Sequence, residues 1–156
     1  MENLDRIDVK ILKELQRDCT LPMAELARRV GLSTSPCWRR VKRLQEAGII
    51  RRQSAQLDPQ LLGVGFVVYA YIKLADNSSE NLSRFEQSMG RWPEVVLCEM
   101  MTGASDYLIK VMTSDVGAYD RFLRDYLLAE GLVQDVQSRI VVKTIKETSE
   151  IPLPRV

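Results

Sequence analysis

The stretch SPCWRRVKRLQEAG, residues 35–48, decides the fold of the N-terminal part of the chain. At the period of an α-helix, Cys37, Val41 and Leu44 fall on one face and form an apolar stripe, which predicts that this face is buried. The opposite face is small or basic and carries Ser35, Arg39, Lys42 and Arg43. A short cationic helix of this kind fits the major groove of DNA, where Arg and Lys reach phosphates and guanine edges. Because a run of Lys and Arg is more often just a solvated helix face, the preceding residues have to decide between the two interpretations.

A second helix and a tight turn precede this stretch. Pro22 is suited to open a helix, MAELARRV at 23–30 carries apolar residues at helical spacing, and Gly31 supplies a left-handed stop. Ser33 or Thr34 is then expected to cap the basic helix. Helix, short glycine-containing turn and helix are the layout of a helix-turn-helix, so the sequence favours the DNA-contacting interpretation.

A further helix is predicted at the start of the chain, over residues 4–18. Its apolar residues recur at steps of three and four, at Leu4, Ile7, Ile11 and Leu15. Asn3 is the expected cap, and Asp5 lies in the first turn, where the helix dipole favours an acid. Since three helices with facing apolar stripes can bury one small core, we expect this first helix to brace the other two.

The residues after Gly48 are predicted to form a wing. The sequence IIRRQSAQLDP at 49–59 is typical of a short β segment followed by a proline turn. Wing arginines commonly contact phosphates beside the groove, which gives affinity without sequence reading. Arg51 and Arg52 are therefore candidates for backbone contacts.

The net charge of +1 conceals an asymmetry along the chain. Residues 1–52 contain twelve Lys or Arg and seven Asp or Glu, whereas the remaining residues contain ten basic and fourteen acidic ones. A basic first part and an acidic second part indicate that only the first part contacts nucleic acid.

The composition disfavours several classes of protein. The 156 residues include no His, which removes the commonest general base and metal ligand. Cys19, Cys37 and Cys98 lie far apart without a CxxC pair, so we expect small buried hydrophobes rather than a disulfide framework or a zinc site, with a thiol-sensing role for one of them as the alternative. No run of eighteen apolar residues and no apolar signal core are present. We therefore expect a cytosolic protein that is not an enzyme and needs no metal or cofactor.

The second part is predicted to be an α+β domain with the ferredoxin-like order βαββαβ. Its predicted elements are a strand over 64–74, a helix within 77–92, strands over 95–101 and 107–113, a helix capped by Ser114 or Asp115 and ended by Gly131, and a strand over 133–148. We assign residues 1–52 to a winged helix-turn-helix domain, 53–63 to a linker and 64–156 to the ferredoxin-like domain. On the first of these strands, the face with Val67, Tyr69 and Tyr71 is apolar. We expect a second element to cover this face, and another subunit is one candidate.

Several motifs in the right order resemble the Lrp/AsnC (leucine-responsive, feast/famine) family of bacterial transcription regulators. They are LDRIDVKILKELQRD at 4–18, AELARRVGLSTSPCWRRVKRLQEAGII at 24–50, the LDP turn at 57–59 and MTGASDYLIKV at 101–111. The pair Cys37 and Trp38 is similar to the branch that regulates cysteine breakdown. The resemblance implies a winged helix-turn-helix joined to a ferredoxin-like domain that dimerises through its sheets and assembles further, to tetramers or octamers.

The resemblance also implies that a small amino acid, such as leucine, methionine or cysteine, binds between neighbouring subunits near the loop at 101–107. The candidate contacts in this loop are Met101, Thr102, Gly103, Ser105 and Asp106. Gly103 lets backbone N–H groups approach an α-carboxylate, and Asp106 could pair with an α-ammonium. The alternative is a plain hairpin turn, in which Asp106 satisfies backbone donors. In the last strand the family often has hydroxyl residues at the positions of Val136 and Ser138, which close the pocket from a partner subunit. Here Val136 lacks the hydroxyl, which leaves Ser138 as the candidate.

The resulting hypothesis is an amino-acid-responsive transcription regulator that binds double-stranded DNA. The predicted DNA contacts are Ser35, Pro36, Trp38, Arg39, Lys42, Arg43, Arg51 and Arg52. Trp38 either flanks the groove or covers the helix core. Two alternatives remain: a nucleoid-type architectural protein with little sequence preference, and a small dimeric ferredoxin-like enzyme, for which Asp106 has no obvious catalytic partner.

Overall fold

The computed structural model describes residues 4–154, which fall into two compact units. The helical unit comprises the chain up to Gln56 together with the segment that begins at Lys146, and the sheet unit comprises Leu57–Ile145. The sequence-based boundaries assigned the whole of 64–156 to one domain. The structure instead groups the last segment with the helices, because Leu153 packs against their core.

The helical unit is built from three helices. They are α1, Arg6–Arg17; α2, Met23–Val30; and α3, Thr34–Glu46. Their apolar stripes meet in one core, whose buried residues are Ile11, Leu12, Leu26, Ala27, Val30, Cys37, Val41 and Leu44. The predicted stripe of α3 is therefore the buried face, which leaves the opposite face exposed.

The helix ends follow the expected chemistry with one difference. The predicted cap Asn3 lies outside the described residues; α1 begins at Arg6, and Asp5 is its cap rather than a first-turn residue. The Asp5 carboxylate accepts from the backbone N–H of Ile7 and Asp8 at 2.9 and 2.8 Å. At the other predicted boundary, Gly31 ends α2 with a left-handed φ of 78°, which lets the chain turn tightly into α3.

The predicted β segment of the wing is not formed. Within the described residues no strand lies between α3 and the first strand of the sheet unit, and Arg51 and Arg52 lie in irregular, exposed chain. A strand needs a hydrogen-bonded partner, and in the structure residues 49–56 have neither a hairpin strand nor a sheet edge to pair with.

The sheet unit has the predicted order βαββαβ. Its elements are β1, Phe66–Leu74; α4, Ser79–Met89; β2, Val95–Met100; β3, Tyr107–Thr113; α5, Val116–Phe122, which continues as a π-helical turn over Leu123–Leu127; and β4, Val133–Ile140. The strands form one antiparallel sheet in the order β2-β3-β1-β4. The caps of α4 and α5 are Ser78 and Asp115, of which Asp115 is one of the two predicted caps of the second helix.

The two faces of the sheet differ in burial. The face of β1 with Val68, Ala70, Ile72 and Leu74 is buried in the core formed with the helices. The opposite face, with Val67, Tyr69 and Tyr71, is only half-buried in the single chain. The strand β4 is shorter than predicted, since its pairing with β1 ends at Ile140 opposite Val68.

No helix within residues 4–154 is long and apolar enough to cross a membrane. In the same range, no group of three His, Cys, Asp or Glu side chains is arranged to hold a metal ion.

Candidate DNA-contacting surface and effector loop

The exposed face of α3 carries most of the residues predicted to contact DNA. Ser35, Trp38, Arg39, Lys42 and Arg43 are exposed, whereas Pro36 in the first turn is half-buried. This placement follows from the helix period, since the buried stripe is fixed against α1 and α2 and leaves the remaining positions in solvent. The face is therefore available to a ligand outside the unit.

The cations on this face are not equivalent. The ammonium of Lys42 lies 3.7 Å from a carboxylate oxygen of Glu46 and 5.2 Å from the ring centroid of Trp38. Arg39, in contrast, has no ion-pair partner among residues 4–154. A guanidinium without an ion pair can offer all of its N–H donors to a phosphate or a base. Among the cations of α3, Arg39 therefore has the most donors available to a ligand.

Trp38 fits both interpretations that the sequence left open. Its side chain lines a shallow depression together with Leu21, Met23 and Val41, so part of it covers the helices. The residue is nevertheless 51% exposed, which leaves much of the indole in solvent. An exposed indole beside a lysine on a major-groove helix is suited to apolar contact with a base.

Arg43 does not lie free on the solvent side as the sequence predicted. Its guanidinium donates to Oδ2 of Asp8, a side chain of α1 that is only 1% exposed. The neighbouring Arg40 donates to Oδ1 of the same carboxylate at 2.8 Å and to Asp5 at 2.7 Å. These two arginines therefore join α3 to the beginning of α1.

Sequence reasoning missed Asp8 and Arg40, although the signal was present. Asp8 lies three and four residues before Ile11 and Leu12, so the helix period places it on the buried face of α1. Arg40 stands between Cys37 and Leu44 at the same spacings, at the border of the buried stripe. An acid and a base that both fall on core-facing positions of neighbouring helices predict a buried ion pair.

The loop between β2 and β3 carries the predicted effector contacts. Met101, Thr102 and Gly103 are exposed, and the backbone N–H of Met101 donates to the carbonyl of Asp106 at 2.8 Å, which closes the loop. Gly103 has a φ of 123°, a conformation that side chains disfavour, and no heavy atom lies within 4 Å of where its Cβ would be. The backbone here is open to a ligand.

The carboxylate of Asp106 is occupied by its own chain. Its Oδ1 accepts from the ammonium of Lys73 at 2.9 Å, and its Oδ2 accepts from the backbone N–H of Leu74 at 2.8 Å. The Lys73 hydrogen bond, followed by that of Leu74, lowers the pKa of Asp106. The carboxylate is thus bound as the hairpin-turn alternative expected, so the expectation that it is available to an α-ammonium is corrected for the single chain.

Two further predicted effector contacts, Ser138 and Ser105, lie in different parts of the sheet unit. The hydroxyl of Ser138 is 2.6 Å from the hydroxyl of Tyr119, so it faces the helices beside β4. In the β1–β4 register, Ser138 is opposite Ala70, whereas Val136 is opposite Ile72 and packs on the core. Ser105 is half-buried next to Asp106. The structure therefore does not bring Ser138 into contact with the loop residues.

The three cysteines differ from the expectation that all are buried. Cys37 is buried in the helix core, Cys19 is half-buried and Cys98 is exposed on β2. Partial desolvation, together with the nearby charges of Glu86 and Glu99, raises the pKa of the Cys98 thiol to about 11, although the residue as a whole is exposed. Burial raises the pKa of the Cys37 thiol. Because the thiolate is the reactive form, neither of these two cysteines has the electrostatic setting of a thiol sensor.

Comparison with known proteins covers both units. Residues 4–51 match the family described as winged helix-turn-helix DNA-binding, and residues 67–151 match the Lrp/AsnC ligand binding domain. The DNA-binding transcriptional activator DecR of Escherichia coli K12 is 39% identical over 96% of this chain and 99% of its own. The proline dehydrogenase transcriptional activator of Rhizobium radiobacter is 39% identical over 94% of each chain.

Two solved structures are similar over nearly their full length. An AsnC family transcriptional regulator from Agrobacterium tumefaciens is 44% identical, with a TM-score of 0.91 over 96% of this chain and 97% of its own. The transcriptional regulator NMB0573 from Neisseria meningitidis, in complex with L-methionine, is 39% identical, with a TM-score of 0.92 over the same shares of the two chains. Relatives named in these comparisons are regulators of transcription, which confirms the prediction of a regulator rather than an enzyme.

Proposed function

Because the chain belongs to the Lrp/AsnC family of transcription regulators, we propose that it binds specific DNA sequences and that a small amino acid, bound between subunits, changes its oligomeric state or its DNA affinity. The observation that carries the DNA-binding part is the exposed face of α3, which presents the unpaired Arg39 opposite a fixed apolar stripe. Such a helix is oriented by its core and free on the side that enters the groove.

We assign the DNA contacts according to this geometry. Arg39 and Lys42 read base edges or phosphates, Ser35 and Pro36 lie at the beginning of the helix, and Trp38 contacts the groove wall. Arg51 and Arg52 lie in exposed chain beyond α3 and bind phosphates. Arg43 is bound to Asp8, and its role is treated separately below.

Oligomerisation supplies a second copy of α3, which the protein needs to recognise a two-part DNA site. The half-buried outer face of β1, with Val67, Tyr69 and Tyr71, is the surface we propose for pairing with a second copy. A dimer presents two copies of α3 and reads a pseudo-palindrome whose half-sites are about one helical turn, or a multiple of it, apart. Further assembly to tetramers or octamers is part of the proposal, as is an intracellular, cytoplasmic place of action.

The proposed effector site is the loop at 101–106, with Ser138 as a contact from β4 of a neighbouring copy. The open backbone at Gly103 can offer N–H groups to the carboxylate of an amino acid, and the exposed Met101 and Thr102 can line its side chain. Since Asp106 is held by Lys73 and Leu74, we infer that its role is to hold the loop in shape. The solved relative with L-methionine supports an amino acid as the ligand class, with leucine, methionine and cysteine as first candidates.

The DNA-binding part is tested with duplexes that the full-length protein selects from a random library. We expect Arg39→Ala to weaken binding of the selected duplex by about 1 to 3 kcal/mol, because it removes a contact to a base or a phosphate. Fluorescence anisotropy titrations measure this loss. The control is Arg124→Ala, which removes an exposed arginine of the sheet unit and should leave the affinity unchanged.

Three outcomes of this experiment have different meanings. A loss with Arg39→Ala alone supports the proposal, and equal affinities of both variants and the unmodified protein contradict it. A ratio of specific to non-specific binding close to one, together with a steep salt dependence, identifies the nucleoid-type alternative.

The effector is identified by screening the twenty amino acids in a thermal unfolding assay. A ligand that binds only the folded protein raises the melting temperature in proportion to the logarithm of its excess over its dissociation constant. The same ligand must then change either the DNA affinity or the sedimentation coefficient of the protein. A ligand can shift the equilibrium between two oligomeric or conformational states only if it binds one of them more tightly than the other.

A further inference from the structure

The helix α3, which we propose to enter the groove, carries four cations, and only some of them are free of ion pairs within residues 4–154. They are Arg39, Arg40, Lys42 and Arg43. Two of them belong to the Asp8 cluster, which we define as Asp5, Asp8, Arg40 and Arg43. The cluster pairs two acids from the beginning of α1 with two arginines that are three residues apart on α3. It is formally neutral, so it withholds two positive charges from the surface that faces DNA.

Asp8 is the centre of this cluster. Its side chain is only 1% exposed, and a buried carboxylate is costly unless it is paired and hydrogen-bonded. It accepts three hydrogen bonds: one from the backbone N–H of Asp5 at 3.2 Å, one from Arg40 at 2.8 Å and one from Arg43. Each of its oxygens therefore holds one arginine of α3, which fixes the rotation of that helix about its own axis.

The two arginines are not buried as deeply as the acid that holds them. The side chain of Arg43 is 47% exposed and that of Arg40 is 27% exposed. If Asp8 is replaced by an amide, Arg43 loses its partner and Arg40 keeps only its bond to Asp5, whose side chain is exposed. Both guanidinium groups are then within reach of a nearby phosphate. The Arg40 bonds to Asp8 and Asp5 also raise the pKa of Arg40, which keeps it charged throughout.

We propose that Asp8 is a positioning residue for DNA recognition, which holds Arg40 and Arg43 on α1 so that they orient α3 instead of binding phosphates indiscriminately. The inference rests on the proposed DNA-binding function and assigns to Asp8 a part of its sequence specificity. Non-specific affinity depends on the number of phosphates that a protein neutralises, so sequestering two arginines lowers it. Specific affinity depends on the direction of the remaining side chains, which the same contacts hold.

The test compares the full-length protein with Asp8→Asn on two probes, the selected duplex and a duplex of random sequence. In the variant Arg43 loses its partner and Arg40 keeps only its bond to the exposed Asp5, so phosphates can compete for both arginines. We therefore expect tighter binding of the random duplex and weaker binding of the selected one. The logarithm of the affinity should also fall more steeply with the logarithm of salt concentration, by about 0.9 for each phosphate gained. A purely structural role for Asp8 lowers both affinities and does not steepen this salt slope.

The matched control is Asp120→Asn in the sheet unit. It changes the net charge by the same amount and releases Arg124, whose nitrogen lies 3.0 Å from the Asp120 carboxylate. We expect the salt slope of this variant to equal that of the unmodified protein. A steeper slope in both variants would attribute the effect to net charge and overturn the proposal, as would an unchanged slope in a folded Asp8→Asn variant.

A second substitution tests the proposal even if Asp8→Asn does not fold. Arg43→Gln leaves Asp8 paired with Arg40, so the ion pair that compensates the buried charge is kept. We expect weaker binding of the selected duplex, because α3 has lost one of its bonds to α1, but the salt slope of the unmodified protein. Arg39→Gln, in contrast, should reduce the slope by about 0.9 if it removes one phosphate contact.

A reduced slope in Arg43→Gln would show that Arg43 already binds phosphate and would overturn the proposal. If the unmodified protein enriches no duplex from the library, it is the proposed DNA-binding function that fails. If it does enrich a duplex, but Asp8→Asn and Asp120→Asn have the same affinities and salt slopes, only the proposed role of Asp8 fails.

Discussion

At the scale of single residues, one carboxylate shows how a side chain that looks free in the sequence is used by its own fold. Asp106 was a candidate partner for an amino acid because it follows a glycine-containing loop. In the structure the residue bridges two neighbouring strands, since it binds Lys73 and the backbone of Leu74 on β1. The sequence could not predict this pairing, because the register that places Tyr107 opposite Ile72 brings together residues more than thirty positions apart.

The depressed pKa of Asp106 predicts a pH-dependent contribution to stability. Since the folded-state pKa is lower than the unfolded one, the stabilisation is present above the ordinary pKa of an Asp, about 4, and is lost as the pH falls through the folded-state value. We expect Asp106→Asn to lower the free energy of unfolding at pH 7 by about 1 to 2 kcal/mol. The difference between the two proteins should shrink as the pH falls below 4.

Urea unfolding between pH 7 and pH 3 measures this difference. Asp135→Asn is the control, because Asp135 is an exposed acid opposite Lys73 on the other neighbouring strand. A loss in Asp106→Asn that stays constant over this pH range would contradict the electrostatic explanation.

At the scale of secondary structure, prediction succeeded where local chemistry fixes both ends of an element. The bounds of α2 are those of the predicted segment, because Pro22 and Gly31 act within a few residues of the helix. It failed for the wing segment at 49–56 and for the end of β4, because whether a strand forms depends on a partner that the local sequence does not show. The Asp8 cluster is a different case: the helix period places Asp8 and Arg40 on core-facing positions, but the pairing between the two helices was not inferred from it.

The turn between α2 and α3 gives a prediction about helix termination. We expect Gly31→Ala to lower the free energy of unfolding by about 1 kcal/mol, because its φ of 78° is unfavourable for a residue with a Cβ. No heavy atom beyond its two chain neighbours lies within 4 Å of the position of the new methyl group, so the cost comes from the local backbone conformation and not from packing. The control is Gly90→Ala at the end of α4, where φ is −71° and alanine fits without strain. Equal effects of the two substitutions in urea unfolding would contradict this explanation.

At the scale of the whole molecule, the sequence predicted two domains in succession, whereas the structure groups the last segment of the chain with the helical unit. The chain returns to the helical unit after β4: the amide of Gln16 binds both the N–H and the carbonyl of Ile151, at 2.8 and 3.2 Å, and Leu153 joins the helix core. Sequence reasoning missed this return because residues 146–154 contain no helical or alternating pattern of apolar residues.

The return of the chain predicts that a residue near its end stabilises the helices at its beginning. We expect Leu153→Ala to lower the free energy of unfolding of the helical unit by about 1 to 2 kcal/mol, because it removes apolar surface from a partly buried site. The control is Ile151→Ala, which truncates a side chain that is 67% exposed and keeps the backbone bonds to Gln16. Thermal unfolding followed by circular dichroism at 222 nm measures both, and a loss that is no larger for Leu153→Ala contradicts the role of the segment.

This return also sets an order of events during synthesis. A ribosome must translate all of Leu57–Ile145 before the residues that complete the helical core leave its exit tunnel. The nascent chain therefore carries an unfinished α1–α3 bundle while the strands are made, and the three helices reach their full stability only after Leu153 has emerged and packed against their core.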